Sequence, residues 1–148
     1  MFQTNQDLNG SIINKQNCSV LLVDDNDSTN FFNKVAIGRC GSHINVNIAT
    51  NGRDALELIL KLEENNQMPN VIFLDINMPY LNGIEFLEEY KKVTNSIKTT
   101  KIVLTIGSEL TPEHLNKLDQ LKMPYHTCEK MLNEAIINRY LSDCFTAL

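Results

Sequence analysis

Val71-Ile72-Phe73-Leu74-Asp75-Ile76-Asn77-Met78-Pro79 is the stretch on which the fold turns. Four apolar residues run without alternation into a carboxylate. Such a run reads as a strand buried on both faces, the kind found inside a parallel sheet. A second stretch, Val20-Leu21-Leu22-Val23-Asp24-Asp25, repeats the pattern and ends in paired acids. Open parallel sheets place their ligand sites beyond the C-terminal ends of the strands. If the two strands are neighbours, Asp24, Asp25 and Asp75 converge in one pocket. Like charges that close do not all stay ionised without a cation. Hard oxygen donors at a shallow site suit Mg²⁺, which takes few protein ligands and keeps several waters. The pocket is therefore a candidate metal-assisted phosphoryl site with one aspartate free to act as nucleophile.

Outward from these runs, strand-like and helix-like patterns alternate. A strand near 19–24 leads to a helix near 27–38, with Phe31, Phe32, Val35 and Ala36 on one face and Gly41 at its end. The phenylalanines are expected to pack in the core, and Asp27 or Ser28 to cap the helix. Ile44, Val46 and Ile48 alternate as a strand, and Asn51-Gly52 reads as a turn. A stripe from Ala55 to Leu62 follows as a helix, ahead of the strand at 71–75. Met78-Pro79 and Asn82-Gly83 form a loop, and Ile84, Phe86, Leu87 and Tyr90 line the next helix. Ile102 to Ile106 is a further buried strand, and Thr111-Pro112 caps and opens another helix. A weak strand near 123–128 and an amphipathic helix near 131–142 complete the series. Five strands alternating with five helices predict an α/β fold, a doubly wound parallel sheet. Right-handed crossovers then bring both acidic strand ends to one edge.

Composition bounds the function. The chain has 148 residues, 43% of them hydrophobic and 21% charged, which fits one ordinary globular domain. Residues 1–17 read as a polar arm and 18–148 as the domain. A net charge of −5 weighs against direct nucleic-acid binding. No apolar run approaches the ~18 residues of a membrane span, and no secretory leader is seen at the start. Cys18, Cys40, Cys128 and Cys144 are widely spaced, so reduced cytosolic thiols and a cytoplasmic location are expected. His43, His114 and His126 share no ligand or triad spacing and read as surface or packing residues.

Leu21-Leu22-Val23-Asp24-Asp25, the run Phe73-Leu74-Asp75-Ile76-Asn77-Met78-Pro79 with Asn82-Gly83, and Lys130 after the fifth strand together resemble a response-regulator receiver domain. The similarity runs from about Cys18 to the C-terminus. It implies a flavodoxin-like five-stranded sheet of order 2-1-3-4-5. Asp75 would accept a phosphoryl group from a histidine kinase or phosphotransfer protein. Mg²⁺ would be held by Asp25, by Asp24 mainly through water, by Asp75 and by the Asn77 carbonyl. Lys130 would pair with the phosphoryl oxygens. The chain would be a phospho-acceptor with self-phosphorylation and autodephosphorylation chemistry only, signalling through an unidentified downstream protein. The few residues after the last helix, 142–148, are too short for a DNA-binding module, so a stand-alone receiver is expected.

Three positions depart from the family pattern. Counting back from Pro112 puts Gly107 where a hydroxyl is expected, with Ser108 adjacent and Thr105 two residues earlier and deeper on the strand than Gly107; Thr105 serves if the loop is two residues longer, or Ser108 substitutes, or the hydroxyl switch is missing. Met131 stands where the family has proline. Thr127 occupies the place of a switching aromatic. These departures keep a second reading open: a pseudo-receiver that binds protein constitutively. A phosphatase of the haloacid-dehalogenase kind is disfavoured, because it needs an acid two residues after the nucleophile and Asn77 stands there.

Overall fold

The computed structural model describes residues 18–94 and 99–145; the expected arm at 1–17 lies outside them. Five strands alternate with five helices: β1 (Ser19–Val23), α1 (Asp27–Cys40), β2 (Asn45–Ala49), α2 (Gly52–Glu64), β3 (Val71–Asp75), α3 (Gly83–Val93), β4 (Lys101–Ile106), α4 (Pro112–Leu121), β5 (His126–Glu129) and α5 (Glu134–Phe145). The strands form one parallel sheet of order β2-β1-β3-β4-β5.

Period-two alternation divides the central strands between two cores. Leu21, Val23, Ile72, Leu74 and Leu104 face α2, α3 and α4, meeting Ile59, Phe86 and Leu118. Val20, Leu22, Phe73 and Val103 face α1 and α5, meeting Ile37, Ile137 and Tyr140. Both faces of β1 and β3 are covered, which is why their sequences run apolar without a break. The edge strands β2 and β5 are only partly buried, and their sequences are correspondingly mixed.

The helix starts follow local chemistry. Asn82 accepts from Glu85 N while Glu85 returns a bond to Asn82 N, a reciprocal cap on α3. Thr111 and His114 do the same for α4, with Pro112 in its first turn. Asn51-Gly52 proves to be the entry to α2, with Asn51 as its cap, rather than a free turn. On α1 the cap is Asn26, which accepts from Thr29 N at 2.9 Å; Asp27 and Ser28 are already helical. β1 ends at Val23, so the extended backbone a cap requires falls at Asn26.

Two further expectations are corrected. Phe31 and Phe32 are 61% and 56% exposed, not core. The buried stripe of α1 is Asn30, Asn33 and Ile37, so the helix is rolled away from its most apolar face. Asn33 is tolerated inside because both ends of its amide bond to nearby backbone, whereas Asn30 bonds only through Nδ2 and its buried Oδ1 has no partner among the described residues. The cysteines are not all reduced: Cys18, just before β1, is bonded to Cys144 near the end of α5, with Cα atoms 5.8 Å apart. Spacing along the chain gave no sign of it, because the packing of α5 beside β1 brings together residues 126 positions apart. Cys40 and Cys128 are free.

The histidines serve structural contacts. His43 Nε2 lies 3.0 Å from the Cys144 carbonyl oxygen, His114 belongs to the α4 cap, and His126 packs against Tyr140. Among the described residues, no helix is long and apolar enough to cross a membrane.

Candidate phosphorylation site

The C-terminal ends of β1, β3 and β5 supply the site, and parallel pairing brings them to one edge. β1 releases the chain at Asp24 and Asp25, β3 ends on Asp75, and Lys130 follows β5. Asp24 and Asp75 are each 4% exposed, whereas Asp25 faces solvent. One carboxylate oxygen from each of the three lies within 4.8 Å of the others. Lys130 Nζ sits 3.5 Å from Asp24 Oδ2 and 3.4 Å from Asp75 Oδ2, bridging the two buried acids.

Neighbouring backbone orients the carboxylates. Asn26 N–H donates to Asp24 Oδ1 at 2.9 Å, and Asn77 N–H donates to Asp75 Oδ1 at 3.3 Å. Burial pushes the Asp24 carboxyl above its ordinary value. The Asn26 amide opposes that rise, Asp75 adds to it, Lys130 opposes it and Asp25 adds to it. For Lys130, burial works to lower the pKa, but Asp24 and Asp75 outweigh it and hold the ammonium above the ordinary lysine value.

The loop after β3 is shaped by close backbone approach. Gly83 has no room for a side chain: a Cβ there would lie 2.5 Å from the Asp75 carbonyl oxygen. Gly52 faces the other end of the loop, where a Cβ would lie 2.2 Å from the Leu81 carbonyl oxygen. The first amides of α2 hold that loop, with Gly52 N–H donating to Leu81 O and Arg53 N–H to Tyr80 O. Tyr80 and Leu81 both have positive φ, 51° and 81°, a strained pair for non-glycine residues.

The cleft beside Asp75 is lined by Asn77, Thr105, Gly107, Ser108 and Lys130 among others. Sheet register places Thr105 directly opposite Asp75. Thr105 is therefore level with the acid, two residues before Gly107, and the β4–α4 connection runs from Gly107 to Thr111. Ser108 lies in that connection and Gly107 adjoins the lysine stem. Thr127 is exposed on β5.

The profile of the response regulator receiver domain matches residues 20–121. The chain belongs to the response-regulator receiver family. It is 42% identical over 87 residues to a protein-glutamate methylesterase/protein-glutamine glutaminase of Treponema denticola, a match covering 58% of this chain and 21% of that protein. The receiver thus spans about a fifth of that relative's length. A two-component response regulator from Cytophaga hutchinsonii has 28% identity and a TM-score of 0.71, covering 86% of this chain and 96% of the other. The receiver domain of the histidine kinase CKI1 from Arabidopsis thaliana, solved with Mg²⁺, has 30% identity and a TM-score of 0.64, covering 82% and 90%.

Within this receiver, sequence reasoning overlooked Asn30 and Asn33. Asn30 Nδ2 donates to the Asp24 carbonyl at 2.8 Å, and Asn33 bonds to the loop that carries Lys130. The usable signal was their spacing of three on a helix, in phase with Ile37.

Proposed function

We propose that this receiver accepts a phosphoryl group on Asp75 in a Mg²⁺-dependent reaction and signals through protein contacts. The observation that carries the reading is the Lys130 ammonium set between the Asp24 and Asp75 carboxylates at the ends of neighbouring strands. An Asp75 carboxylate oxygen attacks phosphorus in line. The new O–P bond forms as the P–N bond of a phosphohistidine breaks, and its electron pair leaves on the imidazole nitrogen, which takes up a proton. Such a transfer needs positioning and charge neutralisation more than acid–base help.

The donor set fits a hard divalent cation: three carboxylates in mutual reach, with Asp25 open to solvent. Asp25, Asp75 and the Asn77 carbonyl would hold Mg²⁺, with Asp24 acting through water. The cation would supply neutralisation of the phosphoryl oxygens. A 30% identical receiver carries Mg²⁺ in its crystal structure, which supports the assignment. Lys130 would pair with a phosphoryl oxygen, its ammonium already lying beside Asp75. Thr105, opposite Asp75 in the sheet, is the hydroxyl that follows it; Ser108 is second.

The donor is a histidine kinase or phosphotransfer protein. The expected cytoplasmic location stands against the Cys18–Cys144 bond, since that compartment keeps thiols reduced. Incubation with acetyl phosphate tests the function. The intact mass should rise by one phosphoryl group with Mg²⁺ and not with a chelator. An unchanged mass under both conditions would favour a constitutive binding module.

A further inference from the structure

Helix α1 buries two asparagines on the face that turns toward the sheet, one turn apart and in phase with Ile37. A buried carboxamide is tolerated when its donor and acceptor are both bonded. Both ends of Asn33 are bonded, and to a single loop. Its Nδ2 donates to the Lys130 carbonyl at 3.2 Å, and its Oδ1 accepts from Leu132 N–H at 2.9 Å. The amide therefore meets a donor and an acceptor two residues apart, as a neighbouring strand would. The clamped residues lie between the end of β5 at Glu129 and the start of α5 at Glu134. That is where the chain has left the sheet and not yet entered a helix.

The same loop projects the Lys130 ammonium to Asp24 and Asp75. Its stem passes Gly107, where a Cβ would lie 3.3 Å from Lys130 Cδ. One turn earlier on α1, Asn30 holds the Asp24 carbonyl. A single helix thus grips the backbone beneath both partners of the Lys130–Asp24 pair. We propose that Asn33 is a positioning residue: by clamping the backbone of Lys130 and Leu132, it fixes the ammonium where it meets the transferring phosphoryl group. The proposal rests on the reading of Lys130 given above.

A double-mutant cycle tests it. Acetyl phosphate labelling at fixed Mg²⁺ is timed for wild type, Asn33→Leu, Lys130→Ala and the double variant. Misplacement by 1 Å costs up to ~100-fold, so an ammonium still in reach but no longer fixed should slow Asn33→Leu by about tenfold. In the Lys130→Ala background the same change should add nothing, because Asn33 acts through the lysine. Ile37→Val on the same helix should lower stability and leave the rate unchanged. Equal slowing in both backgrounds, or none in either, overturns the proposal. If Asn33→Leu does not fold, Asn33→Asp keeps the acceptor for Leu132, loses the donor to Lys130, and is read the same way. If wild type takes no label, the functional reading fails instead. Asn33 is then judged by the Lys130 ammonium resonance at constant pH. A move in the variant toward the position of exposed lysines supports the clamp, and an unmoved signal overturns it.

Discussion

Breaking the Cys18–Cys144 bond is expected to remove several kcal/mol of stability. The bond closes a loop of 126 residues. The chain-entropy relation for a loop that long gives about 5 kcal/mol at 25 °C, against ~2–4 kcal/mol typical of measured bridges. A value of about 3–5 kcal/mol is therefore expected. Unfolding entropy of roughly 2.1 cal/mol/K per residue turns that into a fall in Tm of about 10–18 °C. The assay is a pair of thermal and urea melts on oxidised protein and on protein held in a phosphine reductant, with Cys144→Ser as a third sample. Thiol titration in denaturant fixes the state of each sample: Cys40 and Cys128 alone should react when oxidised, and all four cysteines when reduced. The urea m-value should also rise on reduction, since an uncrosslinked chain exposes more surface. An oxidised sample with two reactive thiols that melts at the same temperature as the reduced one would show that the bond adds no stability.

Asp24→Asn should stabilise the metal-free protein, because burial and Asp75 raise the Asp24 pKa. A raised carboxyl binds more protons folded than unfolded, so stability falls as pH rises from about 3.8 through the folded pKa; the advantage of the variant in urea melts should vanish below that window and be full above it. Mg²⁺ should raise the Tm of wild type and hardly that of Asp25→Ala, in melts with and without the ion. Gly83→Ala should cost ~1–3 kcal/mol in urea melts, the usual penalty of overpacking, since its Cβ would meet the Asp75 carbonyl at 2.5 Å. With beryllofluoride as phosphoryl mimic, amide shifts across 110–130 should collapse in Thr105→Ala and persist in Ser108→Ala.

The legible part of this chain is where a residue's neighbours along the sequence decide its environment. β1 and β3 are covered on both faces, so their apolar runs could be read directly, and the acids that end them fall at strand ends by topology alone. Lys130 follows the weakly patterned β5, so resemblance marks it and periodicity does not. The illegible part depends on contacts between distant segments. Asn30 and Asn33 look like solvent-facing residues until their partners, the Asp24, Lys130 and Leu132 backbones, are known. Phe31 and Phe32 look like core for the converse reason. The choice between Thr105 and Ser108 stays open in the sequence because strand pattern does not set the length of the loop before Pro112, whereas sheet register puts Thr105 beside Asp75. Cys18 and Cys144 meet only because α5 returns to the start of β1.

The most direct measurement asks whether Asp75 is the acceptor. After labelling with acetyl phosphate and Mg²⁺, borohydride reduces an aspartyl phosphate to homoserine, which peptide mass spectrometry locates. Wild type should yield homoserine at position 75, and Asp75→Asn should yield none anywhere. Homoserine at 24 or 25, or undiminished labelling of Asp75→Asn, would contradict it.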